Sequence, residues 1–235
     1  MNITTEEEAL AAVKQNGLSL EYVPPEFKTV ELCHEAVRQK CMSLQYVPPE
    51  FMTAELCLEA VKQFGHALKY VPENLKTAEL CFEAVKQEGW ALEFVPDSLK
   101  TAELCLEAVM GKGGALKYVP EKYKTAELCH EAVKRSDFVF GGLALEFIPD
   151  ALKTPELCIE AVKQDGMSLE YMPEKYKTAE LCLKAVKEWG WALGYVPDEF
   201  KTVELCLEAV KENINALDYV PEEMREKVRS RIKTK

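Results

Sequence analysis

A threonine recurs through this chain at a fixed interval, and the interval decides what the chain can fold into. The series runs Thr5, Thr29, Thr53, Thr77, Thr101, Thr125, Thr154, Thr178 and Thr202. Prolines keep step with it at Pro24, Pro48, Pro72, Pro96, Pro120, Pro149, Pro173, Pro197 and Pro221. Both series advance by 24 residues, with one step of 29 between the sixth and seventh members. A fixed period of this size belongs to a solenoid rather than to a domain built from unlike parts. Each copy is too small to bury a core alone and must borrow its neighbours' faces. The whole chain, residues 1–235, is therefore expected to be a single repeat domain.

Within it, residues 1–28 read as a capping repeat, 29–221 as the internal repeats with an insertion near 135–142, and 222–235 as a closing helix. The first copy carries Glu8 and Ala9 where the others carry Leu-Cys, as suits a terminal repeat with one face unpaired. After Pro221, Met224, Val228 and Ile232 form a helical stripe that would lie on the ninth repeat.

One copy, Thr77 to Lys100, shows the physics. Thr77 suits an N-cap, and Glu79 places a carboxylate near the positive end of the helix dipole. Pro155, after Thr154, fits the same boundary, because proline is welcome at the first helical position. Leu80, Cys81, Ala84 and Val85 make a helical stripe, and Ala78 and Phe82 widen it as if the helix were packed between two neighbours. A helix of 11 or 12 residues would end at Gly89, in the position where left-handed dihedrals are needed. Trp90 to Val95 leaves room for one short helix before Pro96, either α or 3₁₀. The expected fold is all-α: an α-solenoid (superhelix) of nine 24-residue helix–turn–short-helix repeats with capping N- and C-terminal elements.

The run ALxYVPxxxKTxELCxxAV, as it stands from Ala67 to Val85, resembles a bacterial tandem-repeat family known only as a domain of unknown function. The likeness covers almost the whole chain. It implies the repeat architecture and brings no functional residues with it.

Charge and cysteine usage narrow the function classes. A net charge of −11 argues against nucleic acid bound along the surface. No apolar run approaches 18 residues, so no membrane span is expected, and the acidic N-terminus is unlike a secretory signal. Eight of the nine cysteines occupy one position in repeats two to nine, where equivalent helices at about 8–10 Å are too far apart for a disulfide. Buried thiols in a reducing compartment, most simply the cytoplasm, are the expectation. The ninth, Cys41, replaces the turn glycine of repeat two and is expected to be partly exposed and the first to react.

A search for chemistry finds little. Leu32-Cys33-His34-Glu35 and Leu128-Cys129-His130-Glu131 begin like a zinc-protease helix, but Arg38 and Lys134 stand where its second histidine would be. Adjacent residues on a helix point about 100° apart, which suits neither joint metal ligation nor a nucleophile–base pair. No catalytic, cofactor-binding or metal-binding residues are assigned, and an enzyme is not expected.

Comparing the repeats with one another locates the variation. Before the turn glycine stand Asn16, Lys40, Phe64, Glu88, Lys112, Asp165, Trp189 and Asn213; after it stand Leu18, Met42, His66, Trp90, Gly114, Met167, Trp191 and Asn215. Such a mixture does not set a uniform core volume. These turns share one edge with the insertion that carries Phe138, Val139 and Phe140. The expected function is a non-enzymatic scaffold for protein or peptide recognition through this edge. Its anchors would be Phe64, His66, Trp90, Phe138, Val139, Phe140, Trp189 and Trp191. The pre-glycine residues are expected to be exposed, while the post-glycine residues are equally read as exposed or as packed under the neighbouring repeat. A monomer is expected. A structural rod assembling head to tail is the alternative, and a modular nucleic-acid reader is a weaker one.

Overall fold

The computed structural model describes residues 3–136 and 144–232. They fall into two compact units, Met1–Tyr123 and Lys124–Lys235. The described residues contain ten α-helices and no strand: α1 (Glu6–Gln15), α2 (Val30–Gln39), α3 (Ala54–Gln63), α4 (Ala78–Gln87), α5 (Ala102–Gly111), α6 (Ala126–Lys134), α7 (Pro155–Gln164), α8 (Ala179–Glu188), α9 (Val203–Glu212) and α10 (Glu222–Ile232). Each of α1 to α9 is followed by 3₁₀ structure, so every repeat alternates the two helix types. Within each unit the α-helices lie side by side as one layer, and the 3₁₀ helices form a second. The fold is an all-α repeat solenoid.

The repeating threonine caps its helix throughout. Thr77 Oγ1 accepts from the Leu80 backbone N–H at 3.2 Å, and Thr178 does the same for Leu181 at 3.3 Å. Such a cap is worth about 1 kcal/mol per helix. In every repeat but the sixth, whose α6 has nine, the α-helix then runs ten residues, shorter than the periodicity suggests, because the residue before the turn glycine leaves helical geometry. Glu88, at φ −153° and ψ 115°, gives its N–H to the Ala84 carbonyl and so closes α4. Its own carbonyl accepts from Ala91 N at 2.9 Å and opens the next helix. The second helix, Gly89–Phe94, is 3₁₀ over its whole length. A further 3₁₀ turn, Asp97–Leu99, occupies what the sequence presents as a plain linker.

Where it is present, the turn glycine answers to a different constraint from the one expected; Cys41 and Ile214 stand in its place in repeats two and nine. None of Gly17, Gly65, Gly89, Gly166 or Gly190 has left-handed backbone. Each instead lies against the next repeat's α-helix. A Cβ on Gly89 would collide with the Ala108 carbonyl oxygen, and one on Gly166 would sit 2.7 Å from that of Ala185. The small residue lets one repeat press on the next, a packing demand rather than a dihedral one.

The core matches part of the sequence stripe and corrects the rest. Leu80, Cys81, Ala84 and Val85 are buried, and Ala91, Leu92 and Val95 meet them from the 3₁₀ side. Ala78 and Phe82 are exposed, as are Leu106 and Ile159, which share Phe82's place in other repeats. The buried stripe is therefore narrower than the sequence implies, because each α-helix leans on its neighbour through two adjacent rows only. All nine cysteines are free and buried. That includes Cys41, against expectation: it occupies the position that faces the next repeat, not a solvent-facing turn.

One element of cohesion is not visible in the periodicity. The lysine that precedes seven of the nine threonines looks like a linker residue, yet its side chain is largely buried, with 4% exposure at Lys177. The ammonium reaches into the following repeat. Lys28 Nζ donates to Tyr46 O at 3.1 Å, Lys76 to Phe94 O at 2.9 Å, Lys124 to Phe147 O at 2.9 Å, Lys153 to Tyr171 O at 3.0 Å and Lys177 to Tyr195 O at 3.0 Å. Several also pair with the acid three residues earlier, as Lys76 does with Glu73 at 2.6 Å. Where both are present, the carbonyl and the carboxylate together satisfy the ammonium while its stem is desolvated. α10 packs on α9 with Val228 fully buried, and Arg231 pairs with Glu204 at 3.2 Å.

Candidate partner-binding edge

The turn edge is set by two backbone facts: the pre-glycine residue is extended, and the post-glycine residue is the second of the 3₁₀ helix that the glycine starts. In the first unit these place Phe64, His66 and Glu88 together. Phe64 is 41% exposed and stacks on His66, with centroids 5.1 Å apart and planes 17° from parallel. His66 Nδ1 lies 2.9 Å from Glu88 Oε2 of the next repeat. The imidazole also meets the Phe94 ring edge-on at 5.5 Å. Three neighbours thus fix the imidazole, and the phenyl ring lies on its outer face.

A register rule emerges for the post-glycine position. His66 meets Phe94, Trp90 meets Tyr118 at 6.2 Å, and Trp191 meets Tyr219 at 6.0 Å, all edge-on and all one repeat further along. Each such ring pair contributes about 0.5–1.5 kcal/mol beyond its buried area. The two readings of this position merge: one edge of the ring packs between repeats, and part of it remains in water. Trp90 and His66 are half-buried, and Trp191 is 37% exposed. Beside Trp191, Gly194 leaves room for Tyr219, since a Cβ there would lie 2.9 Å from the Tyr219 Cδ1.

The pre-glycine position departs from the expected exposure. Phe64 is exposed, but Trp189 is half-buried and Asp165 is 8% exposed. In the second unit Asp165 Oδ1 accepts from Met167 N at 2.8 Å, a capping bond that Asn16 and Asn213 also make in their repeats. Asp165 Oδ2 is buried without a hydrogen-bond partner among the described residues. Burial pushes its carboxyl above the usual range. Glu188, at the end of α8, is also raised, first by burial and then by the charge of Asp165, with Lys184 opposing. Asp165, Glu188 and Trp189 line one cavity of about 180 Å³ whose apolar wall includes Val133, Leu145 and Ala161.

Trp189 and Trp191, neighbours across Gly190, thus lead in two directions, one to this cavity and one to Tyr219. Phe138, Val139 and Phe140 lie outside the described residues. Sequence comparison missed Asp165 and Glu188, although Asp165 stands in the variable series; nothing in one dimension distinguishes a capping Asp from a buried one. Among the described residues no group of three or more His, Cys, Asp or Glu side chains converges as a metal site. A second surface runs along the α-helices. Between α2 and α3, Val30, His34 and Leu58 line an open groove of about 690 Å³, where Glu59 accepts from Arg38 and pairs with His34, both at 3.1 Å.

Six segments, the first four overlapping, match the profile of the Domain of unknown function (DUF4116): residues 6–52, 29–76, 53–100, 77–124, 126–177 and 179–225. The chain belongs to the DUF4116 family. Each matched segment spans about two of the 24-residue copies, in keeping with a unit that is complete only when a neighbour covers it. A search of curated proteins gave no match. No described helix is long and apolar enough to cross a membrane.

Proposed function

We propose that this DUF4116 chain is a non-enzymatic scaffold that recognises a protein or peptide through its turn edge. The observation that carries the reading is the Phe64 ring: large, exposed, and stacked on an imidazole that Glu88 and Phe94 hold in place. An aromatic side chain already fixed in one geometry loses little further entropy on binding, which is what distinguishes an anchor from a merely exposed ring. Trp90 and Trp191 extend the same chemistry along the edge in their own units. The buried thiols support a reducing compartment, most simply the cytoplasm.

The test is panning of a random peptide library on the wild type, followed by affinity measurement on Phe64→Ala. Phe64 keeps 41% of its surface in water, so the variant should lose only about 1–2 kcal/mol and melt roughly 2–8 °C below wild type, still folded. Selected peptides should lose about tenfold or more in affinity, the value of one aromatic anchor. Peptides that bind the variant unchanged would remove Phe64 from the recognition surface. Failure to select any binder would count against the edge as a whole.

A further inference from the structure

The cavity under Trp189 has the features of a pocket for one charged group. Its volume, about 180 Å³, is that of roughly six waters at ~30 Å³ each. It is well short of the ~300–1,000 Å³ that a drug-sized molecule occupies. It holds one side chain.

Its chemistry is specific. Asp165 is more than nine-tenths buried and presents Oδ2, for which no described residue supplies a donor. Glu188 stands at the rim close enough for the two carboxylates to repel each other. A neutral donor would satisfy the oxygen and leave the charge uncompensated; a basic group answers both requirements with a charge-assisted bond. The Trp189 indole lines the same cavity and offers the best aromatic surface for a cation. Two carboxylates without a third ligand are too few for a closed metal site. Val133 and Leu145 supply the apolar wall that the methylene stem of a lysine or arginine would follow. In the first unit the equivalent oxygen is already answered, because Glu88 Oε2 is bound by His66.

We propose that Asp165, Glu188 and Trp189 form a recognition pocket for a single arginine or lysine side chain of the partner peptide. This rests on the edge reading above and adds to it a basic residue.

The probes are N-acetyl-arginine amide, N-acetyl-lysine amide and, as the neutral isostere, N-acetyl-citrulline amide, titrated calorimetrically into the full chain. The basic probes should bind the wild type and the citrulline probe should not. Asp165→Asn keeps the capping bond that Asn16 and Asn213 show to be available to an amide, so the fold should survive, while affinity for the basic probes should fall about tenfold or more. Glu188→Gln should weaken binding by a smaller factor. Glu93→Gln, an exposed acid in the other unit, should leave it unchanged and thereby separates the pocket from general attraction to an acidic chain. Equal binding of citrulline, equal loss in Glu93→Gln, or full affinity in Asp165→Asn would each overturn the pocket. Because these probes need no peptide partner, the pocket fails or succeeds independently of the Phe64 panning experiment.

Discussion

Glu88 and Asp165 occupy the same place in two repeats, with the same extended backbone and the same role between an α-helix and a 3₁₀ helix. In the first unit the carboxylate meets a histidine from the repeat before it, and a stacked aromatic pair completes a finished surface. In the second, one oxygen caps the turn and the other is buried with no partner among the described residues. The backbone pattern therefore specifies a stack of positions and leaves their chemistry to the side chain and to the repeat next door. A repeat fold of this kind separates stability from recognition: glycines, alanines and lysines hold the stack, and the residues beside the glycine are free to differ.

The largest effect should come from breaking the part that both units share. Gly89→Ala and Gly190→Ala would each drive a methyl group into the carbonyl oxygen of the next α-helix. Each should cost about 2–4 kcal/mol, since backbone on one side and backbone on the other leave no flexible atom to yield. Gly111, at the end of α5, is the control: a Cβ there meets nothing nearer than 3.7 Å, so Gly111→Ala should stabilise by about 0.5–1 kcal/mol. Urea denaturation followed by circular dichroism distinguishes the signs. If Gly89→Ala is as mild as Gly111→Ala, the contact between repeats is not what fixes the glycine.

The buried lysines come next. Lys177→Met removes the donor to Tyr195 O, and the chain already carries Met52 at the equivalent place in repeat two. The expected loss is about 1–2 kcal/mol, because a bond from a charged donor is given up while the methylene packing is largely kept. Lys76→Met should behave alike in the first unit. A loss confined to one unit would show that the lysine row is not equivalent along the chain.

Smaller, and aimed at the comparison itself, is the pair Asp165→Asn and Glu88→Gln. Glu88→Gln weakens a bond that exists and should cost about 0.5–1 kcal/mol. Asp165→Asn removes a buried charge and should raise the melting temperature slightly at pH 7. The sign follows from the raised Asp165 pKa. A carboxyl that ionises less readily folded than unfolded adds stability below its unfolded pKa and loses it as pH rises through the folded one. The advantage of Asp165→Asn should therefore shrink as pH falls below neutrality, with Glu188 acting in the same direction. A melting-temperature difference that stays constant from pH 7 to pH 4 would contradict the burial of Asp165.

How much of this was legible in one dimension depends on what each residue answers to. The threonine caps, the Leu-Cys-Ala-Val stripe and the α10 stripe answer to local helical geometry, and periodicity reveals them. Lys177 answers to a carbonyl 18 residues on, and Asp165 to a cavity shared with α8, and neither signal has a period. The aromatics beside the glycine fall between: their variety marked the edge, while the edge-on contacts with Phe94, Tyr118 and Tyr219 depend on how far one repeat is displaced from the next.

Cys41 tests that distinction with the smallest expected effect. A residue in a glycine turn looks exposed in the sequence, and a thiol there looks reactive. In the stack the same position faces the next repeat, and Cys41 is 8% exposed. Burial raises its pKa, as it raises those of Cys57 and Cys81 to about 11. At pH 8 each thiol is then overwhelmingly protonated as well as covered, and labelling has to wait for local opening. Cys41 should react with Ellman's reagent at a rate within about tenfold of Cys57, and all nine thiols should react promptly only in denaturant. Fast labelling of Cys41 alone, before any unfolding, would restore the exposed turn and with it the simpler view that the glycine position belongs to the surface.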